Sequence, residues 1–289
     1  MANQLEIAVV VPTRNRPESL VHSLAALERQ TAGSLEVVVV DDASSDPDAV
    51  AAVVASAPRA RLVRRERQGG VGAARNTGVA ATAARFVCFT DDDCRASPDW
   101  ADRLVGPLRA GADAVAGSTV NARPENPFDT ALQTIVNFLA ERADQGAGRT
   151  TYGPGSNLGA TAALLRALPF DERYRGAGEE RDWCTRVVEL GYALASAPDA
   201  VVHHYQELDL RSFWRKNVHY GRGARTYRRI ASAPRPLERA DFYPALVGRG
   251  FRAGFRPGLL VAVAQVATAY GYGREVVDDA LEAAAKGPR

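Results

Sequence analysis

The chain has 289 residues, 46% hydrophobic and 24% charged, enough apolar material for one large α/β domain or two modest ones. A formal net charge of +2 gives no case for a nucleic-acid partner, and the three cysteines, Cys88, Cys94 and Cys184, form neither a metal-type spacing nor a disulfide framework, which fits a reducing cytosol. Lysine occurs only at Lys216 and Lys286, so the many arginines reflect a compositional bias and their clusters carry less functional weight than usual.

The N-terminus runs directly into a strand-like segment, with no basic stretch ahead of a cleavable apolar one. Leu5–Val11 is an apolar run closed by Pro12 and reads as a buried parallel strand. Pro17 suits the first turn of a helix that carries Leu20, Leu24 and Leu27 on one face. Leu35–Val40 is a second strand ending at Asp41-Asp42, followed by a helix over Pro47–Ala57 and a short strand at Arg61–Val63. Gly69-Gly70-Val71-Gly72 precedes an alanine-rich helix over about 73–84, and Arg85–Phe89 is the next strand. This alternation predicts an α/β fold with a mostly parallel, Rossmann-like sheet flanked by helices.

Beyond a helix at Pro98–Ala110 and a strand at Asp113–Gly117, residues 121–155 are looser, around a helical stretch at Thr130–Ala143. Helices are expected at Ala160–Leu168 and Glu179–Leu190, and two short extended pieces over Ala193–Tyr205. From about 208 the chain reads as a helical appendage: Leu210–Ile230, a Pro/Gly-rich connection, then about 258–285. Gly258–Tyr272 is too short, and with Gln265 and Thr268 too polar, to span a bilayer.

Ligands of parallel sheets bind at the carboxyl ends of the strands, where this chain delivers Thr13-Arg14-Asn15, Asp41-Asp42 and Asp91-Asp92-Asp93. Three carboxylates leaving a hydrophobic strand repel one another and are costly to desolvate, unless the turn is solvated or a divalent cation sits there. Magnesium and manganese prefer hard oxygen ligands, often shared with substrate phosphates, so a metal–diphosphate site and a wet acidic turn are the two readings. Asp41 and Asp42 suit either a ribose or base contact or helix capping, a role open also to Ser44 or Asp46. The glycine loop resembles an anion cradle but lacks the Walker lysine and the dinucleotide spacing; Arg75 and Asn76 on its helix would face the same crevice. Gly178-Glu179-Glu180-Arg181-Asp182-Trp183 opens a helix, where carboxylates complement the dipole or one of them serves as a general base. His203-His204 ends a short strand as a structural pair or a ligand. Arginines 211, 215, 222, 225 and 229 share one side of a helix, a solvated face or a contact with an anionic membrane.

Taken in order, these motifs resemble family 2 glycosyltransferases, inverting enzymes with the nucleotide-sugar-binding GT-A fold. Val10–Arg16 resembles the opening strand and its turn, Val39–Ser44 the second strand, and Ala74-Arg75-Asn76-Thr77-Gly78 the family's Ala-Arg-Asn-x-Gly helix start. Asp91-Asp92-Asp93 corresponds to the Asp-x-Asp signature, Gly178–Asp182 to the acceptor-side acidic motif, and Pro198–His204 to the closing strand with its histidine. The resemblance covers about residues 5–230 and lacks the processive members' Gln-x-x-Arg-Trp signature. It implies a GT-A domain over 1–207, with a nucleotide-sugar half to about 120 and an acceptor half beyond, and a helical extension over 208–289. It further implies that Pro12, Thr13, Arg14, Asp41, Asp42, Arg75, Asn76, Asp91 and Asp92 bind the nucleotide-diphosphate sugar. Asp91, Asp93 and His204 would hold a divalent metal, manganese or magnesium, and Asp92 would be the member of the triplet that best tolerates change. Glu180, a Glu where the family usually has Asp, would be the base that takes a proton from an acceptor hydroxyl, with Trp183 and the Gly153–Asn157 loop shaping the acceptor pocket. The implied enzyme is non-processive and cytoplasmic, peripheral at the membrane if the basic helices touch it. Two rivals are a nucleotidyltransferase acting on a nucleoside triphosphate and a sugar phosphate, and a non-catalytic nucleotide-sugar-binding protein.

Overall fold

A computed structural model describes residues 5–174, 177–230 and 240–285. The described residues form two compact units. The first takes the chain up to Ala122, Leu139 to Tyr174 and Glu180 to Gln206; the second takes Arg123–Phe138, Ala177–Glu179 and the chain from Glu207 on.

In chain order the elements begin β1 (Ile7–Thr13), α1 (Pro17–Glu28), β2 (Leu35–Asp41), α2 (Pro47–Ala55), β3 (Ala60–Arg64), α3 (Val71–Ala80) and β4 (Phe86–Phe89). Next come β5 (Cys94–Ala96), α4 (Trp100–Arg109), β6 (Ala114–Asn121), α5 (Pro127–Ala143), β7 (Asp144–Gly146) and β8 (Arg149–Thr150). A 3₁₀ turn at Gly155–Asn157 leads into β9 (Leu158–Thr161), α6 (Ala162–Ala167), α7 (Glu179–Glu189) and β10 (Leu194–His204). The helices α8 (Leu210–Ile230), α9 (Phe242–Ala253) and α10 (Phe255–Ala285) follow.

All residues of β1 are buried, as a strand covered by helices on both faces requires. Successive side chains go to opposite sides: Val9 and Val11 join Leu20, Leu24, Val50, Trp100 and Leu104 in one core, and Val10 joins Val38, Phe89, Leu164 and Trp183 in the other. Each fully buried valine or leucine is worth about 1.5–3 kcal/mol. The sheet order is β3-β2-β1-β4-β9-β6-β10-β8-β7, with β5 added against β10. Strands β3, β2, β1 and β4 are parallel, as the strand–helix alternation predicts. Beyond them the sheet is mixed, because β9 enters antiparallel to both β4 and β6.

Three expectations need correction, and one short strand was not expected. Ala160–Leu168 is not a continuous helix: β9 runs through Thr161, whose side chain then caps α6 by accepting the Leu164 N–H at 3.2 Å. The short β5 is absent from the sequence reading. Ala193–Tyr205 is a single strand with a register shift between Ala197 and Val201, not two pieces. The Pro/Gly-rich connection before residue 258 contains α9 and the start of α10, while 231–239 lie outside the described residues.

The irregularity in β10 is held from the 3₁₀ turn. Asn157, fully buried, accepts the Trp100 indole N–H at 2.8 Å and donates to the carbonyls of Ser118 and Ala200, each at 2.8 Å. Gly117 makes room for it, since a Cβ there would lie 2.4 Å from the Asn157 side chain.

In the second unit α8 and α10 run in the same direction: Thr268 bonds the Asn217 carbonyl, Arg222 pairs with Glu275 at 2.7 Å and Asp278 at 3.1 Å, and Arg225 with Asp279 at 3.1 Å. The helices approach closely because Gly221 and Gly271 sit at the crossing, where a Cβ would lie 2.0 Å from the Thr268 and Val218 carbonyls. Arg222, Arg225 and Arg229 thus face carboxylates of α10, so the arginine row does not form one free basic face. No described helix is long and apolar enough to cross a membrane.

Candidate active site

The site lies at the carboxyl ends of β1, β2 and β4 and at the end of β10. Past Phe89 the chain turns sharply, with the Cys94 N–H donating to the Asp91 carbonyl at 3.1 Å, and the turn sends the three carboxylates to different partners. Asp91 is partly exposed and accepts the Arg75 guanidinium at 3.1 Å. Asp92 is buried and accepts the Thr13 hydroxyl at 2.8 Å and Arg16 at 2.9 Å. Asp93 meets Arg16 at 3.0 Å through one oxygen and His204 Nε2 at 3.2 Å through the other.

His204 arrives by sheet register. Strand β5 pairs antiparallel with β10, placing Cys94 directly opposite His204 on one face and Arg95 opposite His203 on the other. His203 is exposed and His204 largely buried, so His204 is the histidine that faces Asp93. Asp93, Cys94 and His204 bring one ligand atom each to within 4.8 Å of one another. This group includes Cys94, which spacing alone does not reveal, because its histidine lies far along the chain; adjacency to the carboxylate triplet was the available signal. Asp91, expected as a metal ligand, stands outside the group because the turn points it at Arg75.

Asp92 is not the permissive member of the triplet. Burial, with the adjacent Asp93 charge, pushes its carboxyl up to about 6, against the pull of Arg16 and Thr13. A folded-state value above the unfolded one favours the protonated form, so the stabilisation is full below the unfolded pKa near 4 and is lost as pH rises through 6. Metal-free protein is therefore expected to gain on the order of 2 kcal/mol between pH 7 and about 4.5, read from urea midpoints, and Asp92→Asn to flatten that gain. A wild-type midpoint that does not move over this range would refute the assignment.

The loop after β2 is organised by its aspartates. Asp41, fully buried, accepts the Ser44 N–H at 2.9 Å and Arg64 at 3.1 Å, which turns it inward rather than toward a ligand. Asp46, not Asp41 or Asp42, caps α2, accepting the Ala49 N–H at 3.1 Å. Asp42 accepts Arg65 at 2.9 Å and the N–H groups of Gly69 and Gly70 at 2.9 and 2.8 Å. The glycine loop is an anion cradle, and the anion in it is a carboxylate of the chain itself. Pro12 and Thr13 are buried at the end of β1 and Arg14 is exposed beside them.

Arg75 and Asn76 part company. The Arg75 guanidinium is buried between the rings of Phe89 and Phe170, 5.9 and 5.5 Å from their centroids, and reaches Asp91. Asn76 instead exchanges hydrogen bonds with the Phe170 backbone at 2.9 and 3.0 Å and donates to Glu172 at 3.0 Å. Its amide ties α3 to the segment before α7, which removes it from the crevice. Glu180 is half-buried on the first turn of α7. Burial pushes the nearby Cys184 thiol up to about 12, and the Glu180 charge adds to the rise. Asp182 is held by Arg186 at 2.7 Å. Trp183 and the 153–157 loop do not line a pocket as expected: Trp183 is fully buried, stacks on Phe170 and donates to the Leu168 carbonyl at 2.8 Å, and the loop packs inward through Asn157.

Comparison with known proteins accords with this arrangement. Residues 8–173 match the model of the family "Glycosyl transferase family 2". Over 215 residues the chain is 33% identical to the amylovoran biosynthesis glycosyltransferase AmsB of Erwinia amylovora, covering 70% of each chain. Over 225 residues it is 27% identical to the pre-mycofactocin glycosyltransferase of Mycobacterium tuberculosis, covering 76% of this chain and 47% of that one, so it spans about half the length of that relative. Among solved structures it superposes on the mannosyltransferase PcManGT of Pyrobaculum calidifontis in complex with GDP-Man and Mn2+, with TM-score 0.59 at 20% identity over 98% of this chain and 81% of that one. It also superposes on S. aureus TarS 1–349 in complex with UDP, with TM-score 0.53 at 18% identity over 86% and 72%. The half-parallel, half-mixed sheet is the GT-A fold, and with the family match extending over more than half its length the chain belongs to glycosyl transferase family 2.

Proposed function

We propose that the protein is an inverting, non-processive glycosyltransferase that moves a sugar from a nucleotide-diphosphate sugar to an acceptor hydroxyl with the help of a divalent metal. The observation that carries this reading is the meeting of Asp93 and His204, far apart in sequence, beside the loops that end β1 and β2. Relatives in fold hold a nucleotide sugar with manganese, or UDP, which supports the donor class. The donor half is assigned to about residues 1–120 and the acceptor half to 121–207.

The residues present fit a metal. Asp93 and His204 supply a carboxylate and an imidazole, with the Cys94 thiol within reach, a donor set in which the carboxylate suits a divalent ion such as manganese or magnesium. When bound there, such an ion supplies Lewis-acid stabilisation of a diphosphate leaving group. Asp42 and the backbone after Pro12 would bind the nucleoside, with Asp42 exchanging the Gly69 and Gly70 amides for a base or ribose donor. Arg75, pre-oriented by Phe89, Phe170 and Asp91, would place its charge beside the diphosphate. Glu180 would accept the acceptor's proton as its oxygen attacks the anomeric carbon from the face opposite the leaving group, which inverts that carbon. Asp182 is less suited because Arg186 already holds it.

A thermal-shift screen of nucleotide sugars with and without manganese tests the reading. Ligand at about 100 times its Kd stabilises by about 2.7 kcal/mol. A shift that needs manganese is expected in the wild type and not in Asp93→Asn. A shift given only by nucleoside triphosphates, with pyrophosphate released on adding a sugar phosphate, would establish the nucleotidyltransferase instead.

A further inference from the structure

Exposed apolar side chains concentrate in the second unit. Along α10, Phe255, Leu259, Val266 and Tyr270 are 72%, 47%, 62% and 51% exposed. Their spacing of four, seven and four residues puts them on one outward face of the helix, about 23 Å long at 1.5 Å per residue. The opposite face is closed against α8 and α9 through buried Val261, Ala264 and Ala267. Helix α8 extends the stripe with Leu210, 60% exposed, and Trp214, whose ring lies 6.2 Å from that of Tyr270.

Charge decides what covers this stripe. Neither Leu210–Ile230 nor Phe242–Arg274 contains a single Asp or Glu. The carboxylates of α10 lie beyond that point, and Glu275, Asp278 and Asp279 already face arginines of α8. Arg211, Arg215, Arg252 and Arg256 are exposed next to the apolar residues. A second copy would bring the same cations face to face, which disfavours self-association. Aromatic and aliphatic side chains interleaved with arginine, without acids, are the composition of a helix face that lies in an anionic lipid interface.

We propose that the face formed by α10 and the start of α8 docks on an anionic membrane surface, with Phe255, Leu259 and Trp214 in the headgroup layer and Arg252 and Arg256 on lipid phosphates. This goes beyond the glycosyl-transfer reading and does not depend on it, since vesicle binding needs neither donor nor metal.

Flotation with phosphatidylcholine vesicles, with and without phosphatidylglycerol, tests the proposal. The wild type is expected to float with the anionic vesicles only, and to release in about 1 M salt, where the Debye length is about 3 Å. Arg252→Gln with Arg256→Gln is expected to weaken partitioning about 30-fold. Phe255→Ser with Leu259→Ser is expected to abolish it while the circular dichroism melt stays unchanged. Wild type that stays unbound to anionic vesicles would overturn the proposal. So would a wild-type dimer in size-exclusion light scattering that the Phe255→Ser, Leu259→Ser variant splits into monomers, since the stripe would then be a self-association surface.

Discussion

Glu180→Gln is expected to lower kcat by two to four orders of magnitude while leaving manganese-dependent donor binding at the wild-type level. Removing a positioned general base costs typically 10²–10⁴-fold, and glutamine keeps the shape of the side chain while losing its ability to take a proton. Glu180 sits half-buried on the first turn of α7, so the change disturbs little packing. The neighbouring carboxylate is the internal control. Asp182 is committed to Arg186 at 2.7 Å, and Asp182→Asn is expected to affect stability more than chemistry. Single-turnover rates with saturating donor separate the two cases, and a Glu180→Gln enzyme within tenfold of wild type would remove Glu180 from the role.

The largest effect on stability is expected from Asn157→Leu. Leucine keeps the branching of asparagine, though it is bulkier, and leaves the Trp100 indole N–H and the carbonyls of Ser118 and Ala200 without their partner. Each orphaned buried group costs about 1–3 kcal/mol, giving a loss of roughly 3–9 kcal/mol from a total of about 5–15. Trp100→Phe removes one of the three bonds and should cost less. Urea midpoints provide the measurement, and a loss under about 1 kcal/mol for Asn157→Leu would show that these groups find other partners.

The parallel half of the fold was legible because β1, β2 and β4 are apolar runs and the helices α1 and α2 start at prolines. Short strands were not. Leu158–Thr161 is followed by Ala-Ala-Leu-Leu, so its residues blend into a helical pattern, and only pairing with β4 and β6 makes it a strand. Helix α9 was hidden by its glycines, one of which, Gly250, lets α10 approach. At the site, motif order placed Asp93 and His204 together correctly. Asp91, expected from the Asp-x-Asp resemblance to share the metal, stands apart because the triplet is a turn that aims it at Arg75. Asn76, expected in the crevice from its place on the first turns of α3, and Trp183, expected beside the acceptor, instead bond backbone of the segment around Phe170.

The register of β10 also bears on how this chain tolerates insertions and deletions. Pairing with β5 selects His204 because Asn157 fixes the irregularity between Ala197 and Val201. A strand that slipped by one residue would turn every side chain over, which normally erases a site. Here the neighbour is His203, so the slipped strand would still present an imidazole opposite Cys94. The tandem histidine keeps an imidazole at this position after a one-residue insertion in the Pro198–Ala200 segment, whereas a one-residue deletion would bring Tyr205 there, in either case at the cost of the Asn157–Ala200 bond.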